Sequence, residues 1–245
     1  MCTLSWLPTH DGFRLYFNRD ERRTRARGRP PRISVPEAGG FLGPVDGDFG
    51  GTWIGVNRFG LAGAILNRYE DTPVGAPPGR VSRGLLLRNL LLESRSTAEM
   101  VRRTRRARLH DYLPFTIAAV MPGQAVNLID WNGRSLELTR TRRPGLLRTS
   151  SGADQGAADG ARRLAYRQLA GDHLEPTPAL LRRLHRSHLP SRGPLSACMH
   201  RPEAKTQSFT ELEVGLRYAT MWYAAGSPCR ARLIRAGRIT LRHRQ

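Results

Sequence analysis

The stretch MCTLSWLPTHDGFRLYFNRDERRTR, Met1 to Arg25, carries most of the decision about the fold. Cys2 to Trp6 alternates as a half-buried strand does, Pro8-Thr9-His10-Asp11-Gly12 is a cluster of turn residues, and Gly12 to Phe17 is again rich in strand-forming side chains. An N-terminal hairpin is expected. From Glu21 to about Asp48 the chain becomes rich in Arg, Gly and Pro and loses periodicity, which predicts an exposed loop carrying Arg22 to Arg32. A structureless connection of that length favours a functional role. Thr52 to Val56 and Leu61 to Leu66, joined by Asn57-Arg58-Phe59-Gly60, predict a second hairpin, and its lack of clean alternation places it inside on both faces.

Ser82 to Leu92 has leucines at helical spacing, and Ser96-Thr97-Ala98-Glu99 is a capping box opening a second helix to about Arg108. Pro114 to Met121, Val126 to Trp131 and Ser135 to Arg140 read as a meander, with Asn132-Gly133 as a tight turn. A short strand over Leu146 to Ser150 follows. Ala158 to Leu169 and Thr177 to His188 read as helices, the second with Pro178 at an early position. Gln207 to Val214, Tyr218 to Ala224 and Arg230 to Ile234 are the last expected strands, and Arg235 to Gln245 is open between strand and tail. The alternation of sheet and helix blocks describes an α+β protein with two layers of sheet between helices. No internal repeat is visible, and residues 1–245 read as a single domain.

At 245 residues the chain can bury a sizeable core without disulfides. No apolar run reaches the roughly 18 residues of a spanning helix, and no secretory signal is recognisable, so a cytoplasmic location is the default expectation. The formal charge is +20, from 40 basic against 20 acidic residues, and all the basic residues but Lys205 are arginine. So lopsided a choice reads in part as a compositional bias on solvated positions. The dense runs Arg22 to Arg32 and Arg102 to Arg108 could meet anions non-specifically, but no nucleic-acid-binding motif accompanies them, so no specific nucleic-acid partner is expected. Cys2, Cys198 and Cys229 lack CxxC spacing, so neither a disulfide framework nor a metal site is expected. Cys198-Met199-His200 is a soft cluster, but its first and third residues share a face only on a strand.

Cys2 stands apart because of its position. If the initiator Met is removed, Cys2 carries a free α-amine beside its thiol, two groups that titrate near about 8 and about 8.5. The amine can take the thiol proton, so nucleophile and base come from one residue.

The opening MCTLSW, the Asn18-Arg19-Asp20-Glu21 tetrapeptide, and DGDFGGTWIGVNRFGLAGAILNRYED (Asp46 to Asp71) resemble the NRDE family, also called the transport and Golgi organisation protein 2 family. The match is specific over about residues 1–71 and returns weakly near Pro144 to Ser151 and at Cys198 to Glu211. That family resembles the N-terminal nucleophile hydrolases, in particular the bile-salt hydrolase and penicillin acylase group. The resemblance therefore implies a four-layer αββα sandwich that hydrolyses a carbon–nitrogen amide bond of a small substrate. Catalysis would rest on Cys2 as nucleophile, Asp20 holding the α-amine, and Asn67 in the oxyanion hole. Arg19, orienting Asp20 or a substrate carboxylate, and Asn18 would bind substrate. Thr149-Ser150-Ser151 stands where relatives carry a second asparagine, which makes Ser151 a further substrate-binding candidate. Lys205 and Gln207 are nearest to the expected position of a late arginine, and Glu21 is expected to anchor the arginine-rich loop.

Hydrolysis by this route requires no cofactor. The same resemblance implies an alternative, a non-catalytic carrier of haem or of an acyl-CoA or other lipid. There Cys2, His200, His173 or His188 would meet the iron, and Arg22 to Arg32 the propionates or phosphates.

Overall fold

Pairing of the first two strands decides which side chains face inward. In the computed structural model, which describes residues 2–34, 39–72, 81–171 and 175–242, β1 (Cys2–Thr9) and β2 (Gly12–Arg22) form the expected antiparallel hairpin. Its register sets Cys2 opposite Arg19, Leu4 opposite Phe17 and Trp6 opposite Leu15. Residues directly opposite share a face and successive residues alternate, so Cys2 and Arg19 lie on the apolar face, while Thr3, Asn18 and Asp20 lie on the other.

β1 and β2 belong to a six-stranded antiparallel sheet in the order β10-β1-β2-β11-β12-β13, completed by β10 (Gly145–Ser150), β11 (Ala204–Val214), β12 (Tyr218–Ala224) and β13 (Ile234–Thr240). A seven-stranded antiparallel sheet runs in chain order from β3 (Arg29–Ser34) and β4 (Phe41–Val45) through β5 (Ile54–Asn57), β6 (Ala62–Asn67), β7 (Phe115–Val120) and β8 (Val126–Trp131) to β9 (Leu136–Thr141). Between the sheets lies the main core, with Leu4, Trp6, Leu15 and Phe17 on one side and Leu42, Ile54, Val56 and Leu66 on the other.

Helices close both outer faces. α1 (Arg83–Glu93) and α2 (Thr97–Arg106) bury Leu87, Leu91, Met100 and Val101 against Phe41, Ile65 and Ile117 of the seven-stranded sheet. α3 (Gln155–Ala170) and α4 (Pro178–Arg186) cover the six-stranded sheet, Leu181 packing with Leu7, Tyr16 and Phe209. Ser96 caps α2 as its sequence predicts, its Oγ accepting from the Glu99 N–H at 3.1 Å, and Pro178 opens α4. The result is the expected αββα sandwich. Among the described residues no helix is long and apolar enough to cross a membrane.

Two expectations are corrected. The Glu21 to Asp48 loop contains β3 and β4. Arg29-Pro30-Pro31-Arg32 reads as a breaker, but β3 is the edge strand of its sheet, where proline costs no ladder hydrogen bond on the outer side. The last strand is Ile234–Thr240, where an Arg230 to Ile234 strand was expected. Residues 228–230 instead form a turn closed by hydrogen bonds from the Arg230 and Ala231 N–H groups to Ser227 O, both 2.9 Å.

His185 is fully buried under the six-stranded sheet, its Nε2 3.0 Å from Ser5 Oγ and its ring stacked on Tyr16. Burial pushes its pKa down to about 3, with Arg162 acting in the same direction. The folded value thus lies below the ordinary one near about 6.5, so the unfolded chain binds the extra proton between the two, and stability rises with pH across that window. Acidification from pH of about 6.5 towards 4 should cost roughly 1.4 kcal/mol per unit from this group. Urea unfolding across that range should show the His185→Gln variant losing one proton's worth of the slope; an unchanged slope would exclude the histidine as its source.

Candidate active site

At the end of the sandwich where β1 begins, a cavity of about 430 Å³ opens. Its wall includes Cys2, Arg19 and Asp20 from the hairpin, Asn67 from the end of β6, and Arg83 from the start of α1. Phe49, Trp53, Ile65, Leu85 and Leu113 make up an apolar part of the wall. The size lies within the range of small-ligand sites. Gly51 allows α1 to close the wall: a Cβ there would stand 2.3 Å from the Gly84 carbonyl carbon, and the neighbouring Thr52 N–H donates to Gly84 O at 3.0 Å.

Cys2 is buried, and burial raises its thiol pKa more than the Asp20 main-chain N–H and the Arg19 guanidinium lower it. The resting thiol is therefore protonated at neutral pH. Arg19 lies over the Trp53 ring at 4.4 Å and donates to Asp46 Oδ2 at 2.7 Å and to Glu21 Oε2 at 3.3 Å. Arg25 completes this network with contacts of 2.7 Å to Glu21, 2.9 Å to Asp46 and 2.8 Å to Asp48. Glu21 thus ties Arg25, in the arginine-rich segment, to the cavity. Exposed Phe49, with Arg25 5.3 Å from its ring centre, stands at the cavity's edge.

Asp20 is supported from the helix side. Thr206 Oγ1 donates to Asp20 Oδ1 at 2.5 Å, and Arg162 Nη2 lies 3.6 Å from Oδ2. Burial raises the Asp20 pKa, against Arg162, which lowers it. Arg162 comes from α3, is fully buried, and also donates to Cys2 O at 3.1 Å, Ser150 O at 3.3 Å and Leu195 O at 3.3 Å. Asn67 Nδ2 donates to Tyr69 Oη at 2.7 Å. Arg83, its pKa lowered by burial, donates to Pro114 O at 2.9 Å and has no carboxylate within ion-pair distance among the described residues.

Cys2, Arg19, Asp20 and Asn67 are thus brought together. Asn18 is not: it faces the helices, its Nδ2 donating to His185 O and Ala197 O, both at 2.8 Å. Ser151 lies just beyond β10, accepts from the Ala153 N–H at 3.4 Å, and is absent from the cavity wall, as are Thr149 and Ser150. Gln207 donates to Arg22 O at 2.7 Å, and neither it nor Lys205 is on the wall. His188 and His200 lie off the wall too, and His173 falls outside the described residues. Arg83 and Arg162 were missed by sequence reasoning; nothing in the pattern marks them among so many arginines.

Two antiparallel sheets between paired helices, with a cavity between the sheets at the start of the first strand, define the fold of the N-terminal nucleophile hydrolases. The structure is similar to a cysteine-to-alanine variant of the conjugated bile acid hydrolase of Clostridium perfringens (TM-score 0.58, 11% identity, 100% of this chain and 97% of that one). It is also similar to the N-acylethanolamine-hydrolyzing acid amidase orthologue of Caenorhabditis elegans (0.59, 13%, 86% and 92%) and to penicillin V acylase from Agrobacterium tumefaciens (0.53, 12%, 90% and 82%). The chain belongs to the transport and Golgi organisation 2 family, whose model matches residues 1–153. No curated protein sequence matches it.

Proposed function

We propose that the protein is a hydrolase of carbon–nitrogen amide bonds with Cys2 as its nucleophile. The observation that carries the reading is the placement of the Cys2 thiol in a half-apolar cavity with Asp20 and Asn67. Removal of Met1 would leave an α-amine on Cys2. A thiol kept protonated by burial needs such a base, and Asp20 would hold the amine in place. In the reaction, Sγ bonds to the acyl carbon as the amine takes its proton. The carbon–nitrogen bond then breaks and the leaving amine receives that proton. Water cleaves the thioester, releasing the acid and restoring the thiol. Asn67 Nδ2 and main-chain N–H groups would hold the oxyanion, a contribution of several kcal/mol where donors are fixed beforehand.

The cavity also supports a substrate description. Phe49, Trp53, Ile65, Leu85 and Leu113 suit an apolar acyl group, and Arg83, with no carboxylate within ion-pair distance among the described residues, suits an anionic end. Neighbours in the fold include enzymes named for bile acid, penicillin V and N-acylethanolamine substrates, in keeping with a small acyl amide here.

Intact mass and a thiol-reactive probe at neutral pH test the mechanism. The expected result is a chain lacking Met1, labelled first at Cys2, with amides screened by trapping of a thioester on that residue. Retention of Met1 would exclude the α-amine as base. Saturable binding of an acyl compound or haem without thioester or turnover would replace the enzyme with a carrier.

A further inference from the structure

Away from the cavity, the helix side of the six-stranded sheet gathers four soft ligand atoms from three places in the chain. His188 follows α4, Cys198 and His200 lie in the segment leading to β11, and Cys229 sits in the turn after β12. One ligand atom from each of His188, Cys198, His200 and Cys229 lies within 4.8 Å of the others. Both cysteines are free thiols. The spacing, one residue between Cys198 and His200 and long gaps elsewhere, matches no zinc motif, which is why the sequence predicts none.

The distances fit a tetrahedral ion. With Zn–N bonds of about 2.0–2.1 Å and Zn–S bonds of about 2.3 Å, tetrahedral angles require N···N near about 3.4 Å and N···S near about 3.5 Å. His188 Nε2 to His200 Nε2 is 3.3 Å, Cys198 Sγ to His200 Nε2 is 3.5 Å, and Cys229 Sγ to His200 Nε2 is 3.6 Å. Charge fits as well. Arg192 Nη2 is 3.4 Å from His200 Nδ1, and Arg23 and Arg230 also act on His200. A divalent cation with two thiolates and two neutral imidazoles adds no net charge to this arginine-rich surface.

We propose that His188, Cys198, His200 and Cys229 form a structural zinc site. All four positions are taken by protein, the closed coordination of a structural centre, and two thiolates with two imidazoles in a tetrahedron select zinc. Zinc binding displaces one proton from each thiol to solvent. It also leaves the His200 proton on Nδ1, so the exposed Arg192 side chain turns away. The ion clips the end of α4 and the turn after β12 to the segment before β11. From that segment the Met199 N–H donates to Thr206 Oγ1 at 2.8 Å, and Thr206 in turn holds Asp20. The clip thereby stiffens the backing of the cavity, whatever the cavity does.

The test is elemental analysis of the untagged full-length protein purified under reducing conditions, followed by chelation and titration with cobalt(II). The expected result is one zinc per chain, and after exchange a thiolate-to-cobalt charge-transfer band with the intense visible bands of tetrahedral cobalt. Cys229→Ser and His200→Gln should lose those bands, while Cys2→Ala keeps them, and chelation should lower the melting temperature of the wild type but not of Cys229→Ser. Titration of the wild type needs no variant to fold. Failure of the reduced wild type to bind either metal overturns the site, as does a Cys198–Cys229 disulfide whose reduction restores no metal binding.

Discussion

Replacing Cys2 with alanine should lower turnover of an amide substrate by on the order of 10⁴-fold or more, while shifting stability by no more than about 1 kcal/mol. The two magnitudes part because the side chain does two unequal things. As a packing element it contributes one sulfur to the inter-sheet core that also holds Leu4, Phe17 and Leu66. As a nucleophile it is the atom to which the acyl group bonds, and no neighbour can replace it: the other thiols, Cys198 and Cys229, lie off the cavity wall. Cys2→Ser keeps the size and the α-amine but offers a weaker nucleophile, so it should form an ester slowly or not at all. The measurement is single-turnover acylation of the purified variants beside their urea unfolding midpoints. Turnover persisting in Cys2→Ala would remove the mechanism, and loss of turnover with loss of the fold would be resolved by the unfolding curves.

What could be read from the sequence follows from where each residue's signal originates. The hairpin of β1 and β2, the pair β5 and β6, and the β7 to β9 meander show themselves locally, through alternation or apolar runs between turn residues such as Asn132-Gly133. β3 does not, because its strand character comes from its neighbour: Ile33 and Ser34 pair with Leu42 and Phe41 of β4, while its own residues are mostly arginine and proline. β13 is similar, with Ile239 carried into the core by pairing with Ala219. In the site, Cys2, Arg19 and Asp20 sit on the two strands of one hairpin, and a family motif could mark them. Asn18 belongs to the same motif, but on the helix-facing side of β2 two carbonyls, His185 O and Ala197 O, hold it away from the cavity. Arg162 gives no local signal at all. Its role depends on burial and on four partners distant in sequence, and composition hides it among the arginines of solvated faces.

That hidden residue should show a large stability effect. Arg162→Met should cost about 3–5 kcal/mol, a large fraction of the roughly 5–15 kcal/mol that holds a domain folded. The methionine fills similar volume, so the loss is polar. Cys2 O, Ser150 O and Leu195 O each lose a donor, and buried Asp20 loses the cation opposite it. Breaking one side of a buried charge pair leaves the other uncompensated, which costs more than removing both. Without Arg162, burial acts on Asp20 unopposed by that charge, and its carboxyl should take up a proton more readily. Arg162→Lys keeps the charge but cannot reach several carbonyls with a rigid fork, and should fall between the variant and the wild type. The pair Asp20→Asn with Arg162→Met should be less unstable than the sum of its single variants, a coupling read directly from a double-mutant cycle in urea. A change below about 1 kcal/mol in Arg162→Met would show that water, and not this guanidinium, satisfies the backbone behind Cys2.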